Sequence, residues 1–347
     1  MYNRDMNSRL LLALIATATV STMILAFGSN RKQTAQSIQW NLIWSDEFNG
    51  SGAVNGSDWI YDTGTAYAGS GCPSNWGTGE VEVMSSSTDN VFQSNGDLNI
   101  RALHSGGSAT SGWTSGRIET VRTDFQPPTG GAMAVEARLQ QPNVDTSNGL
   151  GYWPAFWMLG GAFRGNCPSW PGIGEIDITE DINGRSSEFA TLHCGSYPGG
   201  PCNEPTGLSS GERSCAGCQT AFHTYRVEFD KSVSPEEIRW YLDGANFFTL
   251  RSNQIDATTW NNATNHGFFL SLIWQLEGAF RLHLAEARPP LRLRDKASSS
   301  IMSASSTPQR QHQHQHRHPR QRLRQHQPQH LVQRLTHGFA LGQWSVQ

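Results

Sequence analysis

Acidic and apolar residues alternate through Glu175-Ile176-Asp177-Ile178, in the run Gly174-Glu175-Ile176-Asp177-Ile178-Thr179-Glu180. That alternation predicts a strand with one face in a core. Side chains two apart share a face, so Glu175 and Asp177 point one way and the two isoleucines the other. Glu180 would fall on the apolar face of a regular strand. A β-bulge near Thr179 brings it back beside the other two carboxylates. Shorter alternating runs recur at 91–103, 131–140 and 222–229, separated by Gly, Ser, Asn and Pro clusters. Glu237–Leu242 followed by Asp243-Gly244 reads as a hairpin. After Gly28 no long segment has helical periodicity. Many short strands with frequent turns predict an all-β sandwich.

The earliest apolar run differs in kind. Leu10 to Gly28 carries no charge and follows Arg4 and Arg9. Its nineteen residues are long for a signal-peptide core and close to the ~20 that span a bilayer. Arg31 and Lys32 stand where a small-residue cleavage site is expected. The segment 1–38 is therefore read as a signal peptide or, slightly favoured, an uncleaved signal anchor plus linker, with the body outside the cell. The membrane enters only through this segment.

Composition narrows the class. The 347 residues include 12 Trp and 35 Gly, and only 16 % are charged, which suits one β-rich domain with extensions. The net charge is −3. The six arginines after Thr307 meet no acid there, so residues 1–307 carry −9. An acidic body argues against a nucleic-acid partner. The six cysteines, Cys72, Cys167, Cys194, Cys202, Cys215 and Cys218, behind an export segment imply disulfides whose pairing the sequence leaves open. Cys215-x-x-Cys218 also reads as half a zinc site, but no second C-x-x-C completes it. Sequons at Asn49, Asn55 and Asn262 agree with secretion.

Three carboxylates on one strand face are costly unless a cleft uses them. Crowded carboxylates push each other's pKa values apart, which suits one acid and one nucleophile; a calcium site or a solvated face are the plainer alternatives. The flanks favour a sugar cleft: Trp153-Pro154-Ala155-Phe156-Trp157-Met158-Leu159 lies upstream, and Trp170 sits just before the motif. The segment from Trp153 to Glu180 resembles the laminarinase branch of glycoside hydrolase family 16, whose motif is G-E-I-D-x-x-E after W-P-A-x-W-M-L.

That resemblance runs from about Gln39 to Phe269 and implies a concanavalin A-like jelly roll with a cleft across its concave sheet. Trp44-Ser45-Asp46-Glu47-Phe48 resembles the opening strand. The resemblance makes Glu175 the nucleophile, Glu180 the acid/base, and Asp177 a hydrogen-bond partner of Glu175 that keeps the pair's titrations apart. Trp153 and Trp157 would floor the donor subsites, with Trp170 a further sugar contact. Asn75 and Trp76 match a cleft loop, with a loop cap as the alternative. Arg117 matches a sugar-binding arginine, with a surface ion pair as the alternative. His193 matches a histidine beside the catalytic strand, with a purely structural role as the alternative. The implied activity is retaining endo-hydrolysis of β-1,3-glucan, with mixed β-1,3/1,4-glucan as a second substrate. A wall transglycosylase and a non-catalytic β-glucan-binding protein are the rivals. A monomer without cofactor is expected.

After Phe269 the text departs from the family. Back-translated from Leu270 and read one base earlier, Leu272–Gly278 can encode N-L-A-I-G-G. Phe280–Pro289 can encode P-T-A-F-G-G-G-P-T, and Ser300–Ser303 contains D-Y-V. The expectation is therefore that 270–307 is a frameshifted remnant of the last strands, which would be lost from the sandwich. A chance match aided by third-base freedom is the alternative. The family's structural calcium uses an aspartate of that last strand, so calcium is doubtful here. Residues 308–347, rich in Gln, His and Arg, have the composition of a disordered tail.

Overall fold

The structure, a computed structural model, describes residues 39–276 and 299–305. The N-terminal apolar segment, residues 277–298 and the Gln/His/Arg-rich tail lie outside the described residues. Among the described residues no helix is long and apolar enough to cross a membrane.

The strands that build the two main sheets are β1 (Asn41–Asp46), β2 (Trp59–Tyr61), β3 (Arg117–Thr120), β4 (Gly131–Leu139), β5 (Tyr152–Gly160), β6 (Glu175–Glu180) and β7 (Ser187–His193). They continue with β8 (Leu208–Ser209), β9 (His223–Asp230), β10 (Glu237–Leu242), β11 (Ala245–Arg251), β12 (Phe268–Leu276) and β13 (Ser299–Ser305). One sheet runs β1-β13-β4-β9-β10-β11 and the other β8-β7-β6-β5-β12-β3-β2. Neighbours in both are antiparallel, and the shuffled order is that of a jelly-roll sandwich. The Asp243-Gly244 turn has both residues at positive φ, 48° and 77°, as a two-residue hairpin with right-handed strand twist requires.

The core lies between the sheets. Met133, Val135, Tyr225, Val227, Phe229, Ile238 and Trp240 face Phe156, Met158, Ile176, Ile178, Leu192, Leu270 and Leu272 in one buried cluster. A second cluster covers the other face of β5 and β12: Ala155, Trp157, Leu159, Phe269 and Ile273 pack with Trp76, Met84, Phe163 and Cys167. Both faces of β5 are thus covered, which explains why Trp153–Leu159 reads as a nearly continuous apolar run rather than an alternation.

Part of the text expected to be frame-shifted takes strand positions in the sandwich. Residues 270–276 continue β12, which sits centrally between β5 and β3, so a boundary at 269 falls inside a strand. Leu270, Leu272 and Trp274 supply apolar groups to the inter-sheet core, so this text satisfies the strand's period of two. The backbone of β13 pairs β1 on one side and β4 on the other.

Cysteine pairing is Cys72–Cys167, Cys194–Cys202 and Cys215–Cys218. The last pair replaces the half zinc site that its spacing also allowed.

One long-range contact ties the sheets where the pattern of β6 breaks. The indole Nε1 of fully buried Trp240, on β10, donates to the backbone carbonyl of Asp177 at 2.8 Å. Trp240→Phe leaves that buried carbonyl without its donor and is expected to cost about 1–3 kcal/mol. Urea unfolding measures the loss; an unchanged midpoint would show that the contact contributes nothing.

Candidate active site

The three carboxylates are brought together by a bulge on β6. Glu175, Ile176 and Asp177 pair with His193, Leu192 and Thr191 of β7, but Glu180 pairs with Phe189. Three steps along β6 thus match two along β7, so β6 carries one extra residue. On β5 the partners of Glu175, Asp177 and Glu180 are Leu159, Trp157 and Ala155, all on the face away from the inter-sheet core. Ile176 and Ile178 stay in that core. The bulge lies within Asp177–Glu180, where the sequence predicted it. Gly174, at φ +79° against the backbone of Ala263, allows the chain to enter β6 where a Cβ would collide with the helix α1 (Ala257–Thr264).

Each acid has a distinct neighbour. Glu180 Oε1 accepts from Trp153 Nε1 at 2.7 Å. Trp153 therefore orients the third carboxylate, in addition to the floor role implied for it. Asp177 Oδ2 lies 3.3 Å from His193 Nε2, whereas the resemblance implied a hydrogen bond to Glu175. His193 Nδ1 contacts Glu204 Oε2 at 2.7 Å. Glu175, Asp177 and His193 present donor atoms within 4.8 Å of one another, a spacing a cation could share. His193 Nδ1 is already committed to Glu204, so Nε2 is the nitrogen that faces the strand acids.

Burial, reinforced by the Asp177 charge, pushes Glu175 and Glu180 each up to about 8. Asp177 therefore raises both rather than separating them, because it lies between them. The countervailing groups differ. Arg117 and His193 pull Glu175 down, while His193 and the Trp153 hydrogen bond pull Glu180 down. Burial opposes charge on His193, but its contacts with Asp177 and Glu204 prevail and push it up to about 12. The imidazolium is thus a fixed cation beside the acids. Two cations act on Glu175, and one cation with one indole N–H on Glu180; each set favours the anion, and burial outweighs both.

Arg117 is buried rather than on the surface. Its Nε lies 3.2 Å from Asp62 Oδ2, its Nη2 donates to Tyr67, and its guanidinium covers the rings of Tyr67, Trp76 and Trp157 at 4.4, 4.6 and 4.9 Å. It locks the loop of Trp76 to the cleft floor. Trp157 and Trp76 are largely covered. Asn75 is exposed, and its amide donates to the Glu80 carbonyl at 2.8 Å, so that nitrogen serves as a loop cap. Trp170 stands half-exposed, 5.9 Å from the His193 ring and 6.1 Å from the exposed Tyr197. Cys72–Cys167 joins the loops that carry Trp76 and Trp170. Glu204 and Tyr197 were not singled out from sequence. Glu204 stands in a loop without periodicity, and its only signal is its place two residues after Cys202.

A jelly roll with bulge-aligned carboxylates on an aromatic-lined sheet face defines the class as a carbohydrate-active hydrolase. The model for the XgeA-like, catalytic GH16 domain matches residues 143–225. A beta-glucanase of Rhodothermus marinus is 30 % identical over 237 residues, which cover 66 % of this chain and 71 % of that one. The glucan endo-1,3-beta-glucosidase A1 of Niallia circulans is 33 % identical over 66 % of this chain, which spans only 32 % of that longer protein. The structure of an endo-1,3-beta-glucanase from Streptomyces sioyaensis superposes with a TM-score of 0.69 at 49 % identity, covering 77 % of this chain and 97 % of that one. The chain belongs to glycoside hydrolase family 16.

The raised carboxyls make a stability prediction. A folded-state pKa of about 8 against an ordinary 4.5 means that the pair is at ease while protonated, and its burial costs stability as pH rises through about 8. Glu175→Gln removes one ionisation. It is expected to raise Tm by a few degrees near pH 9 and by less near pH 5. Calorimetry at the two pH values decides; a pH-independent gain would mean that Glu175 is not raised.

Proposed function

We propose that the chain is a retaining endo-β-1,3-glucanase. The observation that carries it is the bulged strand, which presents Glu175, Asp177 and Glu180 on one sheet face between Trp153, Trp157 and His193. In the first step a Glu175 oxygen attacks the anomeric carbon and forms a glycosyl ester. Glu180 gives its proton to the departing glycosidic oxygen. In the second step Glu180 takes a proton from water, the water oxygen attacks the anomeric carbon, and Glu175 leaves as carboxylate. Asp177 and His193 set the field in which both acids titrate. The aromatic rings bind sugar by stacking, and Arg117 fixes the donor side of the cleft.

The named relatives support β-1,3-glucan as substrate, with mixed β-1,3/1,4-glucan as a second. The three disulfides suit an oxidising compartment, and with the N-terminal apolar run they support a chain secreted or anchored outside the cell, which we take to act as a monomer. Residues 270–307 remain our candidate for frame-shifted text. A chain with the frame restored is expected to be the more stable and the more active form.

Reducing-sugar release from laminarin is the test. Glu175→Gln should lose at least about 10³-fold in kcat while still binding laminarin. Longer oligosaccharides among the products would instead indicate transfer to sugar. Tight binding without turnover by the unmutated chain would indicate a binding protein.

A further inference from the structure

Glu204 is a fully covered carboxylate outside the three acids of the strand, and both of its oxygens are used. Oε2 meets His193 Nδ1 at 2.7 Å, and Oε1 accepts from the backbone N–H of Cys194 at 2.9 Å. On its far side the His193 ring reaches Asp177 at 3.3 Å. A line of contacts thus runs from Glu204 through His193 to Asp177, on the strand that carries the proposed nucleophile and acid. The loop that delivers Glu204 is closed twice: Cys194–Cys202 bridges it, and Gly199 and Glu204 exchange two backbone hydrogen bonds of 2.7 and 2.6 Å. That effort positions one buried charge, whose burial would be costly without partners.

We infer that Glu204 is a positioning residue of this active site, which fixes the His193 ring so that its Nε2 holds Asp177 between the two reacting carboxyls. This rests on the glucanase reading for its kinetic consequence, but not for its structural one. Glu204 holds the ring at Nδ1 while Nε2 stands 3.3 Å from Asp177, and the carboxylates on both sides favour its doubly protonated form. The groups around the ring are Asp177, Glu175 and Glu180 from β6, Glu204 from the closed loop and the Trp170 ring. Carboxylates outnumber every other kind of group among them, so the ring is the cation that offsets them. Loss of Glu204 removes one of those carboxylates and frees the ring to turn. Glu204 itself raises Glu175, but by less than the His193 cation lowers it; with the cation no longer aligned the second effect prevails, and the pH at which Glu175 ionises rises.

The test compares Glu204→Gln with the unmutated full chain by two independent readouts. The first is histidine-ring NMR, with the His193 signals assigned by their absence in His193→Gln. Unmutated His193 is expected to stay protonated to about pH 9, whereas in Glu204→Gln it is expected to titrate below that. The second is laminarin kinetics. Glu204→Gln is expected to lose between about tenfold and a hundredfold in kcat with little change in KM. The acidic limb of its pH profile should move to higher pH, and Glu204→Asp should recover part of the loss. An unmoved His193 titration together with an unmoved acidic limb, in a variant that still binds laminarin, would overturn the proposal. If Glu204→Gln does not fold, Glu204→Asp is read alone: a smaller change of the same sign supports the inference, and none rejects it. An unmutated chain inert on laminarin would count against the glucanase reading, and the NMR comparison would still decide the role of Glu204.

Discussion

Everything at the cleft depends on one extra residue in one strand. A regular strand from Glu175 to Glu180 would set the third acid against the hydrophobic core. The bulge avoids this, but it breaks the ladder between Asp177 and Glu180. A broken ladder deep in a sandwich leaves a backbone group to be satisfied from elsewhere. The Asp177 carbonyl is satisfied by the indole of Trp240, which crosses the core from the opposite sheet. The geometry of the candidate site and the packing of the sandwich therefore share a bond. The residue that secures the bulge lies in the other sheet, among Tyr225, Phe229 and Ile238, where its identity would otherwise be a matter of volume alone.

The second constraint is charge. Glu175, Asp177, Glu180 and Glu204 crowd one end of a poorly hydrated cleft, and the cations within reach are His193 and Arg117. Four carboxylates against two cations cannot all ionise cheaply at low dielectric. Glu175 and Glu180 therefore hold their protons to higher pH than ordinary glutamates. A retained proton suits the acid of the proposed pair, whereas the proposed nucleophile must lose its own, and His193 and Arg117 are the groups that favour that loss at Glu175. The arrangement sacrifices stability at alkaline pH for that readiness, as strained or desolvated sites commonly do.

The parts of this design that follow from short-range periodicity were legible in the sequence. Alternation placed Glu175 and Asp177 on one face, and the spacing to Glu180 required a bulge. Asp243-Gly244 announced its hairpin, and turn density announced the sandwich. What was not legible depends on contacts between distant segments. Glu204 stands in a loop with no periodicity, eleven residues from the histidine it meets. Nothing local to Trp240 points at the Asp177 carbonyl. Arg117 also allowed a surface ion pair, and the packing of Tyr67, Trp76 and Trp157 around it shows that it is buried. The place of 270–276 in the sheet follows from local pattern alone and leaves the frame-shift reading where it stood. Strand formation asks only for alternation and a free slot, and Leu270–Leu276 meets both whatever its origin.

Cross-linking follows the same logic as the bulge. The sandwich is held by two sheets and a continuous core, which need no covalent help. On the cleft side, among the described residues, the cover over β5 and β12 is loops with short ladders, such as Gly69–Ser70 beside Gly165–Asn166, which hold less firmly than a full sheet. Cys72–Cys167 ties the Trp76 loop to the Trp170 loop, and Cys194–Cys202 closes the loop that bears Glu204 and Tyr197. Two of the three disulfides thus lie in segments that place rings and charges at the cleft, and the sheets themselves hold none. A cross-link confines the open ensemble most where a loop would otherwise wander. These two bonds therefore act on how accurately the site is held more than on whether the sandwich folds.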